Sequence, residues 1–334
     1  MARYTGPKAA RVMQYVACNL CGSNETRLRF PSTIAGDKRP QNPDAFRCTH
    51  SGYGRHHAIV QCKTCGLVYT NPRLSGEDIV DSYVAVEDPL YVQERDGRVL
   101  TFERHLRPLE KIKAPPGRLL DVGAYTGVFV EIAARHGWDA WGLEPSHWAA
   151  TEARKQGLQM SEGLLESVEL PDASFDVVTL WDVIEHLTDP FAAIQRSHRL
   201  LKPQGLLVLH TMDIDSLFAR VMGARWPWLM EMHLYFFSRR TLKMMLEKAG
   251  FHVLRAVPQG RYLRLGYLAT RVGGLVGQPV GRALGGLFRL LHLSQMPIPI
   301  NLGDLFTVYA IKNSGSPGFG GTKSHRKGAK GAKI

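Results

Sequence analysis

From Arg118 onward, short apolar runs alternate with stretches in which apolar residues recur every three or four positions. RLLDV precedes VFVEIAARHG, DAWGLEP precedes WAATEARKQG, and FDVVTLW is followed by PFAAIQRSHRLL and then LLVLHT. The short runs suit strands buried on both faces, and the longer spacing suits helices laid against them. Strand and helix in alternation predict an α/β domain with a parallel sheet, helices on both faces, and ligands at the carboxyl ends of the strands. Asp121, Gly123, Glu144, Asp182 and His186 then fall along one rim.

Upstream the pattern changes. VQERDGRVLTFERHLRPLEKI carries Val99, Phe102, Leu106, Leu109 and Ile112 at helical spacing, which predicts an amphipathic helix that Pro108 should kink and that Pro115-Pro116-Gly117 ends. Residues 76–117 read as a helical linker or lid, with Tyr83 and Tyr91 in the preceding loop set either to reach a ligand or to pack. Downstream, residues 260–299 are rich in Leu, Gly and Arg and precede GDLFTVYAIK, which reads as the last strand. They are therefore expected as an insertion within a domain spanning 118–312. Apolar residues with arginines at intervals suit an interfacial helix pair in peripheral membrane contact, a cap on the cleft, or a dimer contact; the oligomeric state is left open.

Charge adds a little to this picture. The chain of 334 residues has 42 Lys+Arg against 30 Asp+Glu, a net charge of +12. Part of the excess sits in KSHRKGAKGAKI, so 313–334 is expected as a disordered basic tail. Met1 to Ala10 has no apolar core of a secretory signal, and no uncharged apolar run approaches the roughly 18 residues of a membrane span. The expected location is cytoplasmic, with any membrane association peripheral.

In a reducing compartment, cysteines in C-x-x-C pairs point to metal. Cys18-Asn-Leu-Cys21-Gly and Cys62-Lys-Thr-Cys65-Gly each present two thiolates at one tight turn, and the following glycine lets backbone N–H groups face sulfur. Together they predict a structural zinc site in a small zinc-ribbon-like module over 1–75. Cys48, His50, His56 and His57 stand as competing ligands, and a redox pair is the other reading. Metal would supply folding energy to a segment too short to bury its own core.

The loop in LLDVGAYTG poses the functional question. A G-x-G-x-x-G dinucleotide fingerprint starting at Gly123 would need glycines where Tyr125 and Val128 stand, and no Gly-Lys-Ser/Thr of a P-loop follows. Glu144, about 20 residues farther on at the end of the second strand, is placed to accept both hydroxyls of a ribose. A ribose site beside a loop with no phosphate signature suggests a nucleoside ligand without phosphates, and S-adenosylmethionine is the obvious candidate.

At this point the sequence resembles the class I S-adenosylmethionine-dependent methyltransferases, in particular those with a zinc-binding front end and a core like the ubiquinone-biosynthesis O-methyltransferases. The resemblance rests on LLDVGAYTG, GLEPS, LPDASFDVVTLWDVIEHLTDP, RLLKPQGLLVLHT and HLYFFSRRTLKMMLEKAGF in order, and it covers the chain to about Lys312. It implies a Rossmann-like, doubly wound, seven-stranded sheet. It also implies cofactor contacts at Asp121, Gly123 and the Ala124, Tyr125 and Gly127 loop for the methionine part, and at Glu144 for the ribose. Pro145, Ser146, Leu164 and Leu165 would hold the adenine, with Trp181 and Asp182 at the methionine end. Where the family usually has Cys-Gly-Thr or Gly-Gly-Thr, this chain has Ala124-Tyr125-Thr126.

Methyl transfer from a sulfonium is an in-line displacement, so alignment of acceptor, methyl and sulfur is much of the protein's task. A hydroxyl acceptor also needs a base, and histidine suits near neutral pH. His186, in Asp182-Val-Ile-Glu185-His186, and His233, in Glu231-Met-His233, are the candidates, each with an ordinary structural role as the alternative. Glu231 joins them because its segment resembles the Glu-His segment of sugar C-methyltransferases. Glu185 is a metal ligand in some relatives or a helix-start carboxylate. The expected activity is O-methylation of a small-molecule or carbohydrate acceptor. Sugar C-methylation, RNA methylation and a catalytically silent scaffold are the alternatives; nucleic acid is disfavoured because no aromatic-basic stacking pattern stands out.

Overall fold

The computed structural model describes residues 13–34, 46–49, 52–84 and 86–313. His50 and the basic tail beyond Asn313 lie outside the described residues. The first part of the chain forms β1 (Met13–Gln14), β2 (Thr26–Phe30), β3 (Ile59–Cys62), β4 (Val68–Thr70) and β5 (Arg73–Leu74), then α1 (Gly76–Val84), α2 (Pro89–Gln93) and α3 (Arg95–Glu110). Tyr83 and Tyr91 lie in α1 and α2, not in a loop. Asp88 starts α2 by accepting the Tyr91 N–H, and Pro89 at the first turn costs no donor that the helix would use. Pro108 falls in the last turn of α3, where the helix is about to end in any case.

The core follows with β6 (Arg118–Val122), α4 (Val128–Arg135), β7 (Asp139–Glu144), α5 (His147–Lys155), β8 (Gln159–Glu162), β9 (Phe175–Trp181), α6 (Pro190–Leu200) and β10 (Leu201–Met212). Caps at the rim set where the helices begin: the Ser146 hydroxyl accepts from Ala149 N, and Asp189 accepts from Ala192 N with Pro190 next in line. After α7 (Leu217–Met222) come β11 (Tyr235–Phe236), α8 (Arg239–Lys248), β12 (Phe251–Pro258), β13 (Arg261–Arg264), α9 (Leu265–Val276), α10 (Gln278–Leu290), β14 (Pro297–Ile300) and β15 (Leu305–Lys312).

The main sheet has seven strands in the order β12-β15-β10-β9-β6-β7-β8. Strands β6 to β10 are parallel, as the alternation predicts, but β15 runs antiparallel between β10 and β12, so the sheet is mixed. The reason is connectivity: β12 and β15 are the arms of one long hairpin, and a hairpin pairs its arms antiparallel. Strands β13 and β14 prolong that hairpin, with Arg261 opposite Ile300 and Arg264 opposite Pro297, and α9 and α10 fill its tip.

A second sheet of four strands, β11-β4-β3-β2, belongs to the cysteine-bearing module. Its edge strand β11 comes from beyond β10, with Tyr235 opposite Tyr69 and Phe236 opposite Val68. The module is thus completed by the core. Leu20, Val60, Leu67 and Tyr69 share one apolar cluster with Leu120, Leu207 and Phe306 of the main sheet. Lys248 donates to the Leu20 carbonyl at 2.6 Å and Arg240 to the Cys65 carbonyl at 2.7 Å across the same seam.

Candidate active site

A cavity of about 570 Å³ opens at the carboxyl ends of β6, β7, β9 and β10, closed over by α1–α3 and by the insertion. Of the residues expected to contact a cofactor or substrate, Gly123, Tyr125, Glu144, Pro145, Leu164, Leu165, Trp181, Asp182, His186 and His233 line it. Asp121, Ala124, Gly127, Ser146 and Glu231 do not. Asp121 is turned to its strand neighbour, accepting from the Thr179 hydroxyl at 2.7 Å, and burial pushes its carboxyl up to about 8. Ser146 is used as a helix cap. Glu231 points to the front module, where Arg55 donates to it at 3.0 Å.

The glycine loop is bent by three left-handed residues: Gly123 (φ 71°), Tyr125 (φ 49°) and Gly127 (φ 75°). The left-handed backbone favours glycine at Gly123 and Gly127, and the space is also tight: a Cβ on Gly123 would stand 2.5 Å from Val183 Cγ2, and one on Gly127 3.1 Å from Ala153 Cβ. The ring of Tyr125 meets Tyr91 edge-on at 4.4 Å and lies 6.0 Å from Trp148. Its hydroxyl is buried without a partner among the described residues. Arg98 stacks its guanidinium 3.4 Å above the Tyr91 ring.

The bent loop turns the Tyr125 N–H toward Glu144, which accepts it on Oε2 at 2.9 Å while Oε1 accepts the Ser146 N–H at 2.9 Å. Each carboxylate oxygen is thereby fixed and retains lone-pair capacity toward the cavity. Burial pushes Glu144 up to about 7 against the pull of these two N–H groups.

Across the cavity, histidines gather. His233 Nδ1 lies 2.6 Å from the Trp228 carbonyl, which only accepts, so Nδ1 carries the proton and Nε2 is the free base. Burial, helped by nearby His186, pushes His233 down to about 3. His186 Nδ1 is 2.8 Å from the Tyr83 hydroxyl and 3.0 Å from the Met232 carbonyl, and the two rings are 4.8 Å apart. Glu185 accepts from the Thr211 hydroxyl at 2.9 Å, and burial with the Asp182 charge pushes it up to about 8. Its carbonyl takes the N–H groups of Leu234 and Tyr235, which ties the His233 segment to the end of β9.

Sequence reasoning missed several cavity residues. Arg261, at the base of the insertion, donates to both oxygens of Asp182 at 3.1 Å. Burial alone would raise the Asp182 carboxyl, but Arg261 and then His210 and His105 hold it below the usual range. His210 ends the run LLVLHT at the same rim as Asp182, so its position was a usable signal. His105, from α3, donates from Nε2 to the Gly260 carbonyl at 3.0 Å and leaves Nδ1 unpartnered; no local pattern announces it. Burial pushes His105 to about 3 and His210 to about 4.

Two groups among the described residues could hold a metal ion. The sulfurs of Cys18, Cys21, Cys62 and Cys65 lie within 4.8 Å of one another, as do ligand atoms of Glu185, His186 and His233. Cys48 stays apart and lines the cavity, while His56 Nδ1 is 2.8 Å from the His57 carbonyl and His57 faces Glu231 at 3.9 Å.

A mixed seven-stranded sheet in this strand order, with a buried carboxylate at the end of its second strand beside the glycine loop, matches the Rossmann-like methyltransferase fold. The chain carries a domain of that kind: residues 93–256 match the family described as methyltransferase domain. Among curated relatives, a ubiquinone biosynthesis O-methyltransferase of Alkalilimnicola ehrlichii is 34% identical over 119 residues, covering 33% of this chain and 48% of its own. One from Rhodopseudomonas palustris is 31% identical over 140 residues, covering 40% of this chain and 54% of its own. The match thus spans about half the length of these relatives. Among solved structures, a chain in the complex of the Haloferax volcanii Trm112 methyltransferase activator with a putative methyltransferase aligns with TM-score 0.50 at 14% identity. That alignment covers 72% of this chain and 99% of the other, and it shows the shared fold alone.

Proposed function

We propose that the protein transfers the methyl group of S-adenosylmethionine to an oxygen of a small, largely apolar acceptor held in this cavity. The observation that carries the reading is Glu144: a carboxylate fixed by two backbone N–H groups at the end of the second strand, facing the cavity beside a loop that cannot cradle phosphates. Its free lone pairs suit the two ribose hydroxyls. Pro145, Leu164 and Leu165 offer apolar contact for the adenine, and Tyr125 walls the methionine end with Trp181 and Asp182. Ala124 and Gly127 shape the loop from behind.

The bound cofactor supplies an electrophilic methyl on sulfonium; the chain aligns the acceptor with it and takes the acceptor's proton. His233 Nε2 is our candidate for that proton, with Nδ1 anchored on the Trp228 carbonyl so that the ring cannot flip away. His186 is the alternative. Burial keeps the His233 ring neutral, and so able to accept a proton, at ordinary pH. A phenol, with a pKa of about 10, gives up its proton more readily than an alkyl alcohol and so asks less of any such base. Phe46, Tyr53, Tyr83, Trp228, Met230 and Met232 give the cavity a largely aromatic and apolar wall, which favours an apolar acceptor, although Arg98, Arg261 and Arg271 also line it.

The four clustered cysteines fit zinc. Cys18–Cys65 and Cys21–Cys62 sulfurs are 3.4 and 3.5 Å apart, near the edge of about 3.8 Å of a tetrahedron with Zn–S bonds of about 2.3 Å. Backbone N–H groups of Leu20 and Cys21 face the Cys18 sulfur, and those of Thr64 and Cys65 face Cys62, as thiolates require. Calorimetry with S-adenosylmethionine tests the central reading: binding that Glu144→Ala abolishes supports it, and no binding by the wild-type chain overturns it.

A further inference from the structure

The tip of the β12–β15 hairpin bears an apolar surface that nothing in the described chain covers. Helix α10 buries only Gly281 of its 13 residues. Val276, Leu287, Leu290, Leu291 and Met296 are 65%, 47%, 76%, 52% and 51% exposed. The helices cannot rotate to hide them, because α9 and α10 cross through glycines: a Cβ on Gly281 would stand 2.6 Å from Gly273 Cα.

Two further observations say what covers this surface. From Leu265 to Gly303 there is no Asp or Glu, while Arg271, Arg282 and Arg289 are present and the last two are exposed. A second copy of the chain laid on the same face would bring like charges together with no acid in the segment to offset them. An anionic surface meets them with opposite charge. The apolar surface is also continuous with the cavity, since Tyr267, Leu268 and Leu275 of α9 line it and Leu275 is itself 41% exposed.

We propose that α9 and α10 dock the protein on an anionic lipid bilayer, with the apolar side chains of α10 in the interfacial layer and Arg282 and Arg289 at the lipid phosphates. No helix among the described residues is long and apolar enough to cross a membrane, so the contact is peripheral. On the methyl-transfer reading above, the acceptor enters the cavity from the bilayer along α9.

The test is sedimentation of the full chain with phosphatidylcholine vesicles prepared with and without phosphatidylglycerol, run beside calorimetry with S-adenosylmethionine. Binding is expected only to the anionic vesicles. The double variant Arg282→Gln/Arg289→Gln should bind about 30-fold more weakly, from about fivefold per arginine, and Leu287→Asp/Leu290→Asp should not sediment. Both variants should melt and bind the cofactor as the wild type does, which separates this result from the fate of the methyl-transfer reading. Wild-type binding that survives in both variants assigns the contact elsewhere, for instance to the basic tail, and overturns the proposal. So does absence of vesicle binding, or a dimer in light scattering that Leu287→Asp/Leu290→Asp dissolves.

Discussion

On the methyl-transfer reading, Glu144 is the carboxylate on which cofactor binding turns. Because burial raises its pKa to about 7, it loses its proton near neutrality and not in the acid range. Ribose hydroxyls donate to the ionised form, so cofactor affinity should fall as pH drops through about 7, by up to tenfold per pH unit below it; calorimetry between pH 6 and 8 (~) reads this directly. Glu144→Gln should bind about 10- to 100-fold more weakly at pH above 7 and lose the pH dependence. For the acceptor side, His233→Ala should lower kcat by about 10² to 10⁴ and leave cofactor affinity intact, as single-turnover kinetics and calorimetry together would establish. At this scale much was legible: strand ends name Glu144, Asp182 and His186, and the missing glycine at Tyr125 already separates the loop from a phosphate cradle. Arg261 and His105 were not, because each reaches the cavity from an element distant in sequence, Arg261 lying 79 residues from its partner Asp182.

Among the elements, β4 links the two cysteine pairs, the proposed zinc ligands, to the catalytic candidate. It begins just beyond Cys65, after Gly66 and Leu67, and its Thr70 donates from N to the Leu234 carbonyl at 2.8 Å and from Oγ1 to the His233 carbonyl at 3.0 Å. Loss of metal should therefore loosen the His233 backbone while leaving Glu144 and the glycine loop, which hang on β6 and β7, in place. Cys62→Ser, or chelation of the wild type, is expected to depress turnover more than cofactor affinity; equal loss of both would show that the module merely holds the whole fold together. The cysteine pairs were plain in the sequence. Strand β11 was not, since two residues carry no periodicity and Tyr235-Phe236 become a strand only because β4 offers them an edge. Helices α5, α6 and α8 were legible for the opposite reason: they run 9, 11 and 10 residues with an apolar face, and Ser146, Asp189 and Ser238 cap them locally.

Over the whole molecule, the cavity is a joint product of three stretches of chain, and ion pairs hold them together. Arg264 at the foot of the insertion pairs with Glu94 at the start of α3 at 2.6 Å, and Arg95 pairs with Glu131 of α4. Arg264→Met leaves Glu94, which is largely buried, without its partner, and should destabilise by about 1–3 kcal/mol, read in denaturant unfolding. The insertion itself obeys a simple geometry. Arg264 and Pro297 face each other across β13 and β14, so the segment between them leaves and rejoins the body at neighbouring points, about one strand spacing apart. Such a segment behaves as a cassette. Joining β13 to β14 by an Asn-Gly turn should leave the seven-stranded sheet and cofactor binding intact, and remove the outer wall of the cavity. Exchanging this one cassette would change what the cavity admits without renegotiating the rest of the fold.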